Sequence, residues 1–286
     1  MRVHLRGSAA SLGQEVPPAG VSALAGVNAD FKLTSTASDA ERRKAAADWI
    51  TNPANPLFSR VIVNRIWHHH FGHGLVKEPS DFGTGGGRPS HPELLDWLAG
   101  WFQQNNYSLK SLHRLIVTSM TYRQSSASRP DALGRDRDNR LLWRFAPKRL
   151  EGEAVRDSLL QAAGMLNTQQ SGPSYEDVKE IHFNAGRYYN PIEVKGPKFD
   201  RRTIYRFSPR GERDAILDTF DCPDPSATAP TRAVTTTPLQ ALSLSNNVFV
   251  WRMAADLANR VRKEAGEAPP GQVRRAWRLS LGREPD

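Results

Sequence analysis

Apolar residues recur at helical spacing over residues 57–71, and they cover most of the helix circumference. Asn55 precedes this segment as a predicted N-cap, Pro56 suits a first turn, and Gly72 suits the left-handed residue that ends a helix. The pattern therefore predicts a largely buried helix. Its last turn is a run of three histidines, which is favourably placed against the negative end of the helix dipole.

Two more helices are predicted directly after it. Ser90 and Glu93 have the spacing of a capping box, with Pro92 in the first turn. Their helix carries an apolar stripe made of Leu94, Leu95, Leu98, Trp101 and Phe102. Ser108 is the predicted N-cap of a third helix, whose inner face holds Leu109, Leu112, Leu115, Ile116 and Met120.

The rest of the chain is also mostly helical in pattern. We expect further helices over residues 39–51, 149–166, 214–220 and 273–281, and one that starts at Thr237 and Pro238. Irregular segments are predicted over residues 125–140, 172–200 and 221–236. Residues 202–207 alternate in polarity and are the best strand candidate. The sequence thus predicts a mainly α fold, a helical domain with a minor small β-sheet around residues 203–207.

The two ends of the chain differ from its middle. The run RGSAASLGQEVPPAG near the start has no helical or strand period, so residues 1–37 are predicted to be a connector and the tail of a preceding module. At the other end, an amphipathic pattern stops at GREPD. We expect residues 38–286 to be a mainly helical domain truncated at its C-terminus, in a fragment of a longer multidomain protein.

The composition is that of a globular chain with a basic bias. Hydrophobic residues make up 38% of the 286 residues, and the mean hydropathy is −0.56. No apolar run approaches the roughly 20 residues of a membrane span, and no signal peptide is visible. The net charge of +9 comes mostly from arginine, which suits anionic groups but equally suits a plain charged surface. A pI of about 9.9 is the single indication of nucleic acid, so that partner ranks last.

Cys222 is the only cysteine of the chain. A single cysteine excludes an internal disulfide, a four-cysteine zinc site and a C-x-x-C-H haem attachment in this chain. The sequence therefore predicts no cofactor in this chain, and a metal ion remains an option that is not favoured.

A cluster of five histidines is made of His68, His69, His70, His73 and His91. Imidazoles at this density suit zinc, copper or iron, with Asp81 as an oxygen ligand. Adjacent histidines point to different helix faces, however, and a position at a helix end explains them as well. We expect His69 and His70 to be partly buried and hydrogen-bonded near Arg65 or residues 81–90, ordering that loop rather than holding a metal.

The loop over residues 81–90 contains three consecutive glycines beside an arginine and leads into a predicted helix. Its backbone N–H groups can surround an anion, although Walker and Rossmann patterns are absent from the sequence. The alternative is a loop that requires glycine for positive φ angles. Catalytic residues stay unassigned, and the predicted ligand-binding residues are Arg65, His69, His70, Asp81, Gly85, Gly86, Gly87, Arg88, Ser90 and His91.

Two other groups of residues have both a functional and a structural interpretation. A set of carboxylates suits acid–base chemistry, but nearby arginines make a solvated, paired surface the better interpretation; its members are Glu151, Glu153, Asp157, Asp218, Asp221 and Asp224. The seven tryptophans suit sugar stacking, but three of them fall on or beside apolar stripes and are predicted core residues: Trp67, Trp97 and Trp101.

Three sequence runs, in a fixed order, carry a resemblance to a known family. They are NPLFSRVIVNRIWHHHFGHGLVKEPSDFGTGGGRPSHPELLDWLAGWF, SLKSLHRLIVTSMTYRQSS and FDCPDPSATAPTRAVTTTPLQALSLSN. From about residue 40 onward the chain resembles the fifteen-fifty-three domain of unknown function of planctomycete and verrucomicrobial proteins. The resemblance implies an extracytoplasmic location, periplasmic or secreted, and a c-type haem module in the same full-length protein or complex. It supplies no established catalytic residues.

Two functional hypotheses follow. The first is a non-catalytic or cofactor-supporting module of a cytochrome-c-associated protein, which binds a protein partner or an acidic glycan, that is, an acidic polysaccharide. The alternative is a metal-dependent or acid/base hydrolase that acts on an anionic glycan at the His-rich helix and Gly-rich loop. In both cases we expect a small-ligand site where the helix ending at Gly72, the loop over residues 81–88 and the Ser90 helix converge.

Overall fold

The computed structural model describes residues 2–184 and 186–285 of the chain. The chain forms two compact units, Met1–Lys148 (unit 1) and Arg149–Asp286 (unit 2). Within the described residues there are eleven α-helices and two small antiparallel sheets. The predicted fold class, mainly α with a minor β-sheet, is confirmed. The predicted boundary between residues 37 and 38 stays a prediction.

Unit 1 begins with a short hairpin and continues as a series of helices. Strands β1 (Arg2–His4) and β2 (Leu12–Glu15) pair antiparallel. The helices are α1 (Asp39–Ile50), α2 (Phe58–Phe71), α3 (Pro92–Gln104), α4 (Leu109–Thr118), α5 (Met120–Arg123) and α6 (Pro130–Arg135). The predicted stripes of α2, α3 and α4 meet in one core, whose buried members are Val63, Trp67, Phe71, Leu75, Val76, Leu95, Leu98, Phe102, Leu112 and Ile116. Leu109 and Met120 were predicted on the inner face with Leu112 and Ile116, and for these two the prediction is wrong, because both are exposed.

Two predicted helix ends in unit 1 are confirmed. Gly72 ends α2 in the left-handed region with φ 84°, which glycine adopts without the steric cost of a Cβ atom. The Ser108 hydroxyl accepts a hydrogen bond from the backbone N–H of Ser111 and thereby caps α4.

Two predicted N-caps are wrong, because their side chains bind elsewhere. The Oδ1 atom of Asn55 accepts a hydrogen bond from the N–H of Leu57 at 2.9 Å, and α2 begins only after Leu57. The Ser90 hydroxyl donates to the carbonyl oxygen of Leu75 at 3.3 Å, so no capping box forms and His91 occupies the N-cap position of α3. Both side chains fix the segments that precede their helices.

Unit 2 combines helices with one hairpin. Its elements are α7 (Gly152–Ala163), β3 (Val178–Phe183), β4 (Gly186–Pro191), a 3-10 turn (Thr203–Tyr205), α8 (Ala215–Thr219), α9 (Pro238–Asn246), α10 (Val248–Ala265) and α11 (Pro269–Leu281). Asp214 caps α8 by accepting from the N–H groups of Ile216 and Leu217, both at 2.9 Å.

The predicted strand over residues 202–207 is wrong. Thr203–Tyr205 form a 3-10 turn, and the apolar Ile204 is 75% exposed. The buried residues here are Thr203 and Arg206, and their side chains are held by hydrogen bonds. The alternation therefore marks polar contacts rather than an apolar strand face. The sheet of unit 2 is the antiparallel hairpin β3–β4, in a stretch predicted to be irregular.

Three further differences concern single elements. Helix α6 lies within residues 125–140, which are predicted as a loop, and α10 was not predicted. Trp97 is 56% exposed, so its assignment to the core is wrong, whereas Trp67 is buried.

Across the described parts of the chain, none of the helices combines the length and apolar character needed to cross a membrane.

Candidate functional site

The histidine run forms the last turn of α2, and its members face different surroundings. His70 is half-buried, and its Nε2 atom lies 2.7 Å from Nδ1 of His113 in α4. His69 is exposed. Lys148 donates hydrogen bonds from Nζ to the carbonyl oxygens of His69 and His70, both at 2.8 Å. These bonds satisfy two carbonyl groups that the helix end leaves without an intrahelical partner.

The predicted partners of these histidines are corrected by this arrangement. His70 is partly buried and hydrogen-bonded, but its partner lies in α4 and not in the loop over residues 81–90. Arg65 donates to the hydroxyl of Ser80 at 3.2 Å on the surface instead. Because successive helix residues point about 100° apart, His70 faces α4 while His69 faces solvent.

Burial lowers the pKa of the His70 imidazole below its ordinary value, and the nearby His113, Lys148 and His69 act in the same direction. Each of these contributions disfavours the charged imidazolium. His70 is therefore neutral near pH 7, and the contact with His113 is a hydrogen bond between two rings.

The glycine-rich loop binds its own carboxylates. Oδ1 of Asp81 accepts from the N–H of Gly83 at 2.9 Å, and Oε2 of Glu78 accepts from the N–H of Gly87 at 3.0 Å. A Cβ atom on Gly86 would lie 2.1 Å from the carbonyl oxygen of Asp81. Close approach, and not positive φ, is what requires glycine in the three-glycine run. Two N–H groups that were expected to bind an external anion, those of Gly83 and Gly87, thus donate to the nearby carboxylates of Asp81 and Glu78.

A cavity of about 480 Å³ lies beside the C-terminal end of α2. The aromatic residues in its wall are Trp67 and Phe71, whose rings stack with 4.2 Å between centroids. Its polar lining consists of His73, Lys77, Ser90, Asp138, Asn139 and Arg140. The second wall therefore comes from residues 138–146, which lie after α6, and not from the glycine-rich loop.

Two side-chain amides hold the cavity walls in place. Asn64 is fully buried; its Nδ2 donates to the carbonyl of Val76 at 2.9 Å, and its Oδ1 accepts from the N–H of Val76 at 2.8 Å. Gly74 is required in this return, because its Cβ would lie 2.3 Å from the Val76 oxygen. Asn139 binds both backbone groups of Arg144 in the same manner, at 2.9 and 3.2 Å. Both walls are therefore fixed by the protein itself.

Most of the predicted ligand-binding residues lie outside this cavity. Ser90 lines it, whereas the part of the chain that the structure describes places the other nine elsewhere: Arg65, His69, His70, Asp81, Gly85, Gly86, Gly87, Arg88 and His91. Sequence analysis missed Lys77, Asp138, Asn139 and Arg140, because they lie in segments without a helical or strand period. One signal pointed there: Asn64 is a polar residue among the apolar positions of α2.

The carboxylates of α7 bind partners from other parts of unit 2. Glu153 accepts two hydrogen bonds from Arg232, at 2.7 and 2.8 Å, and Asp157 accepts from the N–H and hydroxyl of Thr203 at 2.8 and 2.6 Å. Burial alone would raise the pKa of Glu153, but the hydrogen bonds and charge of Arg232, a backbone hydrogen bond and the Cys222 thiol together outweigh it and hold this pKa below its usual value. Burial also raises the pKa of the Cys222 thiol to about 11, with Glu153 adding to the effect, so Cys222 is protonated at neutral pH.

A buried ion cluster in unit 2 was missed by sequence analysis. Nε of Arg206 binds Oδ2 of Asp177 at 2.8 Å, and Nη2 binds Oε2 of Glu212 at 3.1 Å. The Arg206 and Glu212 side chains are each 4% exposed. Arg206 and Asp177 line a second cavity of about 230 Å³. Burial raises the pKa of the neighbouring Tyr175 hydroxyl to about 12. Arginine here belongs to the interior, not to a charged surface.

Within the described residues, no group of three or more His, Cys, Asp and Glu side chains is placed to hold a metal ion.

Comparison with known proteins supplies a family. The family model described as "Protein of unknown function (DUF1553)" matches residues 42–286. The comparisons with curated proteins and with solved structures return no match for this chain.

Proposed function

Because the chain belongs to this family of proteins of unknown function, which it matches over residues 42–286, we propose its function from the site: it is a non-catalytic module that binds an acidic glycan. The glycan occupies the cavity of unit 1. Its carboxylate or sulfate groups bind the cations at the rim of this cavity.

One observation carries the proposal, the presence in one cavity of two cations that have no ion-pair partner among the described side chains. Trp67 and Phe71 line the floor of this cavity, and each is 5% exposed, so they bound the space as core residues and do not offer a ring face to a sugar. Lys77 and Arg140 line the same space and are exposed. Among the described side chains, no ion pair involves either cation, so both charges are available to an anion.

The size and polarity of the cavity agree with this ligand class. Its volume of about 480 Å³ lies within the range of roughly 300–1,000 Å³ that is typical of small-ligand sites. Ser90 and Asn139 also line the space, where their hydroxyl and amide groups bind the backbone of Leu75 and Arg144. The cavity therefore suits a short segment of an acidic oligosaccharide.

The setting of the module is part of the proposal. The resemblance in the three sequence runs supports an extracytoplasmic location and a c-type haem module in the same full-length protein or complex. The chain itself lacks a C-x-x-C-H motif, so we place the haem outside it. The sequence of the full-length gene tests this directly, with a C-x-x-C-H motif and a secretion signal expected upstream.

Titration of sulfated and carboxylated oligosaccharides tests the binding function. Lys77→Ala and Arg140→Ala should each weaken binding by roughly three- to tenfold, because each removes a charge-assisted contact. Arg88→Ala is the matched control, since it removes an exposed arginine outside the cavity and should leave binding unchanged. Binding should also weaken with added salt. Equal binding by all four proteins, or none by the wild type, contradicts the proposal.

A second function has a specific observation in its favour. His73 and Asp138 line the same cavity, so two groups able to transfer protons lie beside the proposed glycan. This arrangement supports the alternative of an acid/base hydrolase acting on the same substrate. Release of new reducing ends by the wild type, lost in Asp138→Asn with binding retained, would establish the hydrolase in place of the non-catalytic module.

A further inference from the structure

His70 and His113 are joined by a hydrogen bond that holds a single proton. The two nitrogens are 2.7 Å apart, and the ring centroids are 5.0 Å apart with an interplanar angle of 74°. The distance between the centroids exceeds the distance between the nitrogens by about two ring radii, one for each ring. Both nitrogens therefore lie close to the line between the ring centres. In this geometry the N–H of one ring points at the lone pair of the other. Because the two nitrogens point at each other across a shared proton, they are not arranged to bind one metal ion together.

The groups around the pair disfavour a second proton. His69 is on α2, Tyr122 on α5 meets the His70 ring edge-on, and Lys148 brings a positive charge from the end of unit 1. A second proton would set an N–H against an N–H beside this ammonium group. The two rings would then separate, and α2 and α4 would lose this hydrogen bond between them.

An aromatic chain connects the pair to the cavity wall. The Tyr122 ring contacts His70, Phe71 and Phe145, with centroid distances of 5.6, 5.8 and 5.0 Å. Phe145 also contacts Phe71, at 6.2 Å, and Phe145 lies within the wall of residues 138–146. Separation of the two imidazoles would therefore disturb the Tyr122 ring, against which Phe145 of residues 138–146 packs.

We propose that the His70–His113 pair is a proton-operated control of the unit 1 cavity. With one shared proton the pair closes and the wall of residues 138–146 is held in place. With two protons, at mildly acidic pH, the pair opens and the wall loosens. The effect on ligand binding rests on the proposed function, whereas the effect on the wall does not.

The sign of the effect follows from the lowered pKa of His70 in the folded chain. Its stabilising contribution is fully present above the ordinary histidine pKa of about 6.5 and is lost as the pH falls through the folded value. His73 acts in the opposite direction, because its protonation adds a positive charge to the cavity lining and strengthens anion binding. The experiment therefore uses a His73→Asn background for the binding arm.

The test compares His113→Asn with His69→Asn in the full chain. Asparagine at position 113 keeps a hydrogen bond to His70 but cannot take up a proton, whereas His69→Asn removes an exposed neighbour outside the pair. Nuclear magnetic resonance of the His70 ring should show that it takes up a proton only below the ordinary histidine value of about 6.5. Titration of His70 at that ordinary value overturns the proposal.

Hydrogen exchange of residues 138–146, corrected for intrinsic rates, gives a second measurement without ligand. As the pH is lowered from about 7.5 to about 5, exchange should become faster in the wild type and in His69→Asn, but not in His113→Asn. His70→Gln serves as a second non-titrating variant should His113→Asn fail to fold. Unchanged exchange in the wild type contradicts the proposal.

Binding of a sulfated disaccharide then separates the two proposals. In the His73→Asn background, affinity should fall by about fivefold or more over the same pH range and stay constant when His113→Asn is added. A pH-dependent wall with no disaccharide binding leaves the proton control standing and refutes the glycan function. Disaccharide binding that does not change with pH refutes the proton control of binding and leaves the glycan function standing.

Discussion

Unit 1 is built around ten buried apolar side chains, most of them on α2, α3 and α4, whereas the buried apolar cluster of unit 2 consists of Leu160, Ala163 and Met253. Unit 2 adds charged groups to its interior, among them Arg206, Glu212 and Asp200, which are each at most 4% exposed at the side chain. Unit 2 also buries apolar residues outside that cluster: Tyr175, Val178, Ile216, Leu217, Phe220 and Val261. Unit 1 therefore depends mainly on one apolar core, whereas unit 2 combines apolar burial with paired charges in its interior.

This difference decides what each unit tolerates. Removing an apolar side chain from unit 1 leaves a cavity, and the cost depends on how far the neighbours relax. Removing one member of the ion cluster in unit 2 leaves the others buried without their partner, which costs more than the pair itself contributes. Substitutions in the two units test this contrast.

The largest expected effect is that of Arg206→Met in unit 2. Asp177 and Glu212 would stay buried without their shared cation, so the free energy of unfolding should fall by about 3–5 kcal/mol. Urea denaturation, with hydrogen exchange to assign the transition to unit 2, measures this loss. The control Arg213→Met removes an exposed arginine that also pairs with two carboxylates, and its loss of stability should be much smaller, because exposed ion pairs contribute little. Equal losses in the two variants would contradict the account of unit 2.

A somewhat smaller loss is expected from Leu112→Ala in unit 1. Leu112 is fully buried on α4, and its truncation should lower the free energy of unfolding by about 2–5 kcal/mol. Leu109→Ala on the same helix removes a side chain that is largely exposed, and it should change stability by less than about 0.5 kcal/mol. A small effect of Leu112→Ala would show that α4 isn't part of a tightly packed core.

Gly74→Ala should cost about 1–3 kcal/mol, because the new Cβ would lie 2.3 Å from the oxygen of Val76 and 2.7 Å from the Asn64 amide. Binding of a sulfated oligosaccharide should weaken as well, since Gly74 lies in the cavity wall. Gly100→Ala is the matched control: nothing lies within 4 Å of its Cβ position on α3, so it should stabilise the chain by up to about 1 kcal/mol. Similar behaviour of the two variants would refute the steric argument.

The smallest expected effect is the pH dependence of Glu153 in unit 2. Its pKa is lowered in the folded chain, so its contribution is present above the unfolded value of about 4.3 and is lost as the pH falls through the folded value. Because the carboxylate is partly exposed, the loss should stay below about 1 kcal/mol. Thermal unfolding of the wild type and Glu153→Gln between pH 6 and pH 3 measures it. A loss already complete at pH 5.5 would point to another group.

The same contrast explains how far the sequence was predictive. In unit 1 the apolar stripes of α2, α3 and α4 could be predicted, because helical periodicity records which face is buried against apolar neighbours. In unit 2 the residues around Arg206 alternate in polarity for another reason. Their polar members are buried through specific hydrogen bonds, and no periodicity records which carboxylate a given arginine will meet.

The candidate site shows the same limit at the level of single residues. The end of α2 could be located from its histidines and Gly72, but the second wall of the cavity could not. Lys77 and Arg140 are 63 positions apart in the sequence, and only the fold brings them to one cavity. The glycine-rich loop looked like an anion site because spacing alone does not reveal that Asp81 and Glu78 already accept its N–H groups.

The central claim is that an acidic glycan binds in the unit 1 cavity and not at the glycine-rich loop. Hydrogen exchange with and without a sulfated oligosaccharide measures this most directly, because it reports both segments in one experiment. The account predicts slower exchange in residues 72–77 and 138–146 on binding, with residues 81–88 unchanged. Protection confined to residues 81–88, or no protection at saturating oligosaccharide, would contradict it.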